Sequence, residues 1–208
     1  MTGHFITVEG PEGAGKSTQV ALLADRLMAA GTEVLVTREP GGTKGGEAVR
    51  ATLIDPSADW SPLAEMLLMN AARDAHLRET ILPALDAGRT VICDRFCDST
   101  RAYQGGGGRM DKDFLMQIEA AVCTRMPDLT LIFDLPVEAG LARADGRGAR
   151  DRFEQKGVAY HEAVRGAFQQ IASDEARAVL IDASQSIESV TEQVISAVYA
   201  RFPDIGAP

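Results

Sequence analysis

Short, continuous apolar runs recur at 4–8, 33–37, 90–93, 129–134 and 178–182, and each is the length of a buried strand rather than a helix. Between them the spacing becomes helical. Ile187, Val190, Val194, Ile195, Val198 and Phe202 fall at three- and four-residue steps, and Phe114, Leu115, Ile118, Ala121 and Val122 make one stripe over 111–125. Residues 61–87 are also helical in pattern, with Pro83 expected to kink or stop the helix. Strands alternating with helices predict a parallel sheet covered on both faces. No internal repeat or linker divides the chain, so one domain is expected over residues 1–208.

Two connectors depart from this pattern. YQGGGGRM at 103–110 reads as a flexible turn, because a run of glycines is mobile without any further role. ARADGRGARDR at 142–152 carries four arginines, which read either as a solvated charge run or as a cationic loop.

Composition narrows the function classes. Of the 208 residues, 45% are hydrophobic and 25% charged, as in ordinary globular proteins. A net charge of -9 argues against coating nucleic acid or an anionic membrane, but it leaves room for a local basic pocket. No secretory leader or membrane-length apolar run is visible, so a cytoplasmic location is expected. Cys93, Cys97 and Cys123 lack zinc spacing and read as reduced structural thiols. His4, His76 and His161 have no spacing that suggests a nucleophilic or metal site, and read as structural or exposed.

The strongest chemical signal is EGPEGAGKST at 9–18, between the first strand and a helical run. It fits a phosphate-binding loop formed by Gly10, Pro11, Glu12, Gly13, Ala14, Gly15, Lys16, Ser17 and Thr18. Backbone N–H groups and a helix N-terminus cradle phosphates there. Lys16 can reach the β- and γ-phosphates of ATP, and the Ser17 hydroxyl can ligate Mg²⁺.

Further cations lie far from this loop in sequence: Arg38, Arg50 and Arg73, then Asp94–Arg95 at the end of the third strand, then Arg143, Arg147, Arg150 and Arg152. Strand ends of open α/β sheets are where ligands bind. A hydrolase has no need of a second anion site. An enzyme passing a phosphoryl group to a phosphorylated acceptor does, because the two anions repel and must be neutralised together. An Arg-bearing loop closing over both would also shut out water. The guanine-reading NKxD motif is absent. The residues therefore favour a nucleotide kinase over an ATP-controlled binding switch.

The chain resembles bacterial-type thymidylate kinases. The resemblance is carried by FITVEGPEGAGKSTQ at 5–19, TREPGG at 37–42, AEMLLMNAAR at 64–73, DRFCDSTRAYQGGG at 94–107, PDLTLIFDL at 127–135 and RADGRGARDRFE at 143–154. It implies a P-loop NTPase-type doubly wound α/β sheet of about five parallel strands with an Arg-rich lid near 142–153. It also implies a cytoplasmic homodimer that phosphorylates dTMP to dTDP with MgATP, toward dTTP. In that family Glu12 would face the deoxyribose 3′-hydroxyl, and Arg95 would bind the dTMP phosphate with Arg38 or Arg50 nearby. Asp94 would help place the metal, Arg73 would donate to thymine, and Ser99 and Gln104 would hold the base or sugar-phosphate side. Tyr103 would crowd a 2′-hydroxyl, and Glu39 and Met69 complete the implied dTMP site. Segment 182–187 is a possible purine edge by the same resemblance.

Two positions bear on subtype. Gly13 stands where some members carry a basic residue, so the lid would supply the catalytic arginine, with Arg147 or Arg152 ahead of Arg150. Met69 stands where thymine commonly meets Phe. A thioether can pack on a ring but selects shape less rigidly. Another nucleotide or deoxynucleoside acceptor therefore stays open as an alternative.

Overall fold

A computed structural model describes residues 3–145, 152–153 and 155–205. Strands form at all five apolar runs: β1 Phe5–Glu9, β2 Val34–Arg38, β3 Thr90–Asp94, β4 Leu129–Asp134 and β5 Ala178–Asp182. Every pairing is parallel, in the order β2-β3-β1-β4-β5. All five C-terminal ends therefore open on one edge. Each strand ends there on a charged residue: Glu9, Arg38, Asp94, Asp134 and Asp182. That edge is the ligand-binding edge of an open parallel sheet.

Around the sheet lie α1 Lys16–Ala29, α2 Lys44–Ile54, α3 Pro62–His76, α4 Leu82–Asp86, α5 Cys97–Thr100, α6 Lys112–Val122, α7 Val137–Asp145, α8 Val158–Asp174 and α9 Ile187–Arg201. Side chains alternate across the strands. Ile6, Val8, Leu131 and Phe133 pack against Leu23 and Leu27 of α1 and Val190, Val194 and Val198 of α9. On the opposite face Phe5, Val91 and Cys93 meet Leu77, Ile81 and Leu85, while Ile132 meets Val164 and Phe168 of α8. Thr7 and Thr130 share a 2.8 Å hydrogen bond between β1 and β4, so neither buried hydroxyl is left unmatched. Side-chain caps start the expected helices: Ser61 accepts from Ala64 N–H, Asp111 from Phe114 N–H and Ser186 from Ser189 N–H.

Pro83 neither stops nor replaces its helix. A π-helical turn at Leu77–Ile81 joins α3 to α4, and Pro83 falls in the first turn of α4, where a missing N–H is tolerated.

The glycine-rich stretch corrects a second expectation. It is no loop for most of its length: α5 runs on into a π-helical segment, Arg101–Gly107. A Cβ at Gly106 would stand 2.7 Å from Ala167 Cβ, and one at Gly107 would stand 2.4 Å from the Tyr160 ring. The glycines are there for close approach to α8.

The thiols of Cys93, Cys97 and Cys123 are unpaired. His76 and His161 are buried, and His4 stacks on Phe202 at 4.2 Å. Among the described residues no helix is long and apolar enough to cross a membrane.

Candidate active site

Between β1 and α1 the chain turns through Gly10, Gly13 and Gly15, all at positive φ. Gly13 is required twice over. Its φ is 72°, and a Cβ there would lie 2.1 Å from the Gly140 carbonyl oxygen of α7. A basic side chain at this position has no room. Lys16 opens α1 and curls back so that Nζ donates to the Pro11 carbonyl at 2.8 Å. Burial first, and then the nearby Arg95 charge, lower its pKa to about 8. Ser17 Oγ donates to Asp94 Oδ2 at 2.9 Å, which brings the end of β3 beside the loop. Asp94 Oδ1 is buried with no partner among the described residues.

Arg95 follows directly, with φ at 71°, in the left-handed region that non-glycine residues seldom occupy. Its guanidinium donates to Gly10 O at 3.2 Å, Ser99 Oγ at 3.1 Å and Glu12 Oε1 at 2.8 Å, and it lies over the Tyr103 ring at 5.0 Å. The Tyr103 hydroxyl donates to the same Glu12 oxygen at 2.7 Å. Glu12 thus belongs to the phosphate loop and to the neighbouring cavity at once.

That cavity is lined by Glu12, Glu39, Arg50, Met69, Arg73, Arg95, Ser99, Tyr103 and Gln104, nine residues far apart in sequence. Pro40, Leu53, Ile54, Phe96, Thr100 and Phe153 complete it. Arg73 is buried and stacked on Phe96. It donates to Glu39 at 2.8 Å, Asn70 at 3.2 Å, Phe96 O at 3.0 Å and Thr100 Oγ1 at 3.1 Å. Four of its five N–H groups are thereby engaged, leaving one for a ligand. Glu39 is shared with His76, whose other ring nitrogen bonds Thr37, so His76 supports this wall. Arg50 donates to Pro40 O at 3.2 Å, and burial, then Arg38, depress its pKa. Arg38 itself is half exposed, pairs with Glu47 and does not line the cavity.

At the far end Gln104 Nε2 donates to Glu65 at 3.0 Å, while its Oε1 is buried without a partner among the described residues. Glu65 also binds Arg152 at 2.7 Å. Arg152 is buried and donates to Leu53 O and Trp60 O, so it is tied to the cavity wall. Arg147 and Arg150 lie outside the described residues, as does most of the expected lid. Arg143 reaches Ala183 O at 3.2 Å, beside segment 182–187.

Several of these features had no sequence signal. Phe153 faces Tyr103 edge-on at 6.0 Å. Leu53 and Ile54 end α2. Glu9, the last residue of β1, is wholly buried and accepts from Phe96 N–H, Ser99 N–H and Ser99 Oγ. Burial, then Asp98, lift its pKa to about 8.

The chain is similar to known proteins over nearly its whole length. The family model described as thymidylate kinase matches residues 8–194. A thymidylate kinase of Caulobacter vibrioides is 52% identical over 203 residues, spanning 96% of this chain and 98% of that protein. One from Pseudomonas fluorescens strain Pf0-1 is 54% identical over 197 residues, spanning 93% and 94%. The crystal structure of thymidylate kinase from Ehrlichia chaffeensis superposes with a TM-score of 0.78 at 34% identity, covering 95% of this chain and 99% of that one.

Proposed function

Since the chain belongs to the thymidylate kinase family, we propose that it moves the γ-phosphoryl group of ATP onto dTMP, giving dTDP and ADP on the route to dTTP. The observation that carries this reading is the double use of Glu12: one oxygen of the phosphate loop accepts from Arg95 and Tyr103, both walls of the adjoining cavity. A donor phosphate in the loop and an acceptor phosphate at Arg95 would meet there. The acceptor phosphate is already anionic near neutral pH, so the chain has to align and neutralise rather than abstract a proton.

The residues divide the work as follows. Gly10 to Thr18 bind the donor phosphates, with Lys16 on the β- and γ-groups. Arg95 and Arg50 take the acceptor phosphate. Glu12 faces the deoxyribose 3′-hydroxyl, and Tyr103 closes the space a 2′-hydroxyl would fill. Arg73 offers its remaining N–H to a thymine carbonyl, Gln104 Oε1 offers an acceptor to the thymine N3–H, and Met69 packs on the ring. Arg152, tied to Glu65 and two carbonyls but with Nη2 unmatched among the described residues, and Arg147 of the lid are the arginines for the transferred group, ahead of Arg150.

The residues present suit Mg²⁺. Ser17 Oγ and Asp94 stand together, and the unmatched Asp94 Oδ1 is a hard oxygen of the kind this ion or its waters bind. When bound, the ion offsets charge on the phosphate oxygens.

The three unpaired thiols suit a reducing cytoplasm. Leu63 and Leu67, one turn apart on α3, are exposed together with Phe114 and Met116 of α6, and these apolar side chains support a homodimer through this side. Sedimentation of the pure protein should report two chains, and a Leu67→Glu change should give one. A monomeric parent would remove the dimer from this account.

The function is tested by measuring ADP release from MgATP with dTMP, dUMP, dCMP, dGMP, thymidine or no acceptor. Stimulation by dTMP with dTDP as product is expected. Comparable rates with dUMP would keep the transfer and discard thymine selection by Met69. Silence with every acceptor would overturn the kinase reading.

A further inference from the structure

We propose that Glu9 is a positioning residue for the acceptor site: its carboxylate builds the turn that aims Arg95, and so ties acceptor affinity to the strand from which the phosphate loop springs. The inference rests on the acceptor-phosphate reading of Arg95 given above.

The turn from Arg95 to Ser99 needs outside support. Arg95 sits at φ 71°, a left-handed conformation that is strained for a non-glycine residue. α5 is only four residues long and has no side-chain cap of its own. Glu9 supplies one from another strand. Its Oε1 accepts from Phe96 N–H at 2.7 Å and Ser99 N–H at 3.3 Å, and its Oε2 accepts from Ser99 Oγ at 2.6 Å. The Phe96 N–H at the start of the helical turn is thereby met, and the Ser99 N–H is shared between Glu9 and the Phe96 carbonyl at 3.2 Å.

The third bond reaches further. Once Glu9 is ionised, above about pH 8, the Ser99 hydroxyl gives its proton to the carboxylate and its lone pairs face Arg95 Nη1, which donates at 3.1 Å. Carboxylate, hydroxyl and guanidinium form one directed chain. Each bond fixes the sense of the next.

An amide at position 9 breaks that sense without emptying the space. It still offers one oxygen to the N–H groups, but its NH₂ would face Ser99 Oγ and compete with Arg95 for the same lone pairs. Stability moves the other way. Glu9 is enclosed by Asp98 on the same turn, by Arg95 and by Lys16, with burial as the largest influence on it. With a folded pKa of about 8 against an ordinary 4.5, ionising Glu9 weakens the fold progressively as pH rises through that interval. The amide carries no such penalty.

Steady-state kinetics and thermal melts at pH 8 test the proposal on Glu9→Gln, Glu9→Asp, Ser99→Ala and the Glu9→Gln/Ser99→Ala double variant. Glu9→Gln should raise the KM for dTMP about tenfold or more, keep the KM for ATP within about twofold, and melt no lower than the parent. Glu9→Asp keeps the charge but loses reach, and should show the same selectivity for dTMP should the amide not fold. The double variant should cost less than the product of the single effects. An unchanged KM for dTMP, parallel rises in both KM values with a lowered Tm, or independent effects of positions 9 and 99 would each overturn it. Arg95→Ala, run alongside, separates the two claims. If Arg95→Ala cripples dTMP use and Glu9→Gln does not, only the role of Glu9 falls; if Arg95→Ala is silent, the acceptor reading falls as well.

Discussion

Arg95→Ala should lower kcat/KM for dTMP by about a thousandfold while the protein still folds. Among the described residues the side chain is the one cation that both touches the phosphate loop, through Gly10 O and Glu12, and lines the neighbouring cavity. Removing it would leave two phosphates to approach each other without the cation that bridges their sites. The fold should survive because alanine bears the same positive φ, and Tyr103 still donates to Glu12. Steady-state kinetics over a range of dTMP, with a melting curve as the control, decide it. Near-normal turnover in a folded variant would remove Arg95 from the acceptor site.

Lys16→Ala should be as damaging, but through kcat and on the donor side. Lys16 is buried, and burial followed by Arg95 lowers its pKa to about 8. At neutral pH the amine is still mostly charged, and an incoming triphosphate would hold it so, because an adjacent anion favours the charged form. The interaction therefore strengthens as negative charge gathers on the phosphates, which is when it accelerates transfer. We expect a loss of about a hundred- to a thousandfold in kcat with dTMP binding preserved by calorimetry. Retention of kcat within about tenfold would show that Lys16 is dispensable for transfer.

Much of this architecture was legible from the chain alone, for physical reasons. Strands buried on both faces must be apolar throughout, so the runs at 4–8, 90–93 and 129–134 announce themselves, and the phosphate loop announces itself because few sequences can bare that many N–H groups. The nine residues marked for the acceptor all line one cavity, although nothing in local spacing says that Glu39, Arg73 and Gln104 are neighbours. That part came from family likeness.

What stayed hidden depends on contacts made at long range. Glycines 106 and 107 read as a loop because propensity reports what a segment does alone, whereas here α8 leaves no space for side chains. Glu9 passes unmarked as the first residue of EGPEGAGKST, since its partners lie some ninety residues away. Arg152 reads as a lid cation, and its bonds to Glu65 and to the Leu53 and Trp60 carbonyls had no sequence signal.

The glycine contact with α8 has a mechanical consequence. Tyr103 belongs to the π-helical segment that presses on Ala163, Ala167 and Tyr160, and the Tyr160 hydroxyl donates to the Tyr103 carbonyl at 3.2 Å. Contacts this tight have little slack, because packed interiors resist compression. α8 and the Tyr103 wall of the cavity are therefore joined with no gap between them, and a substitution that thickens either surface should displace the other.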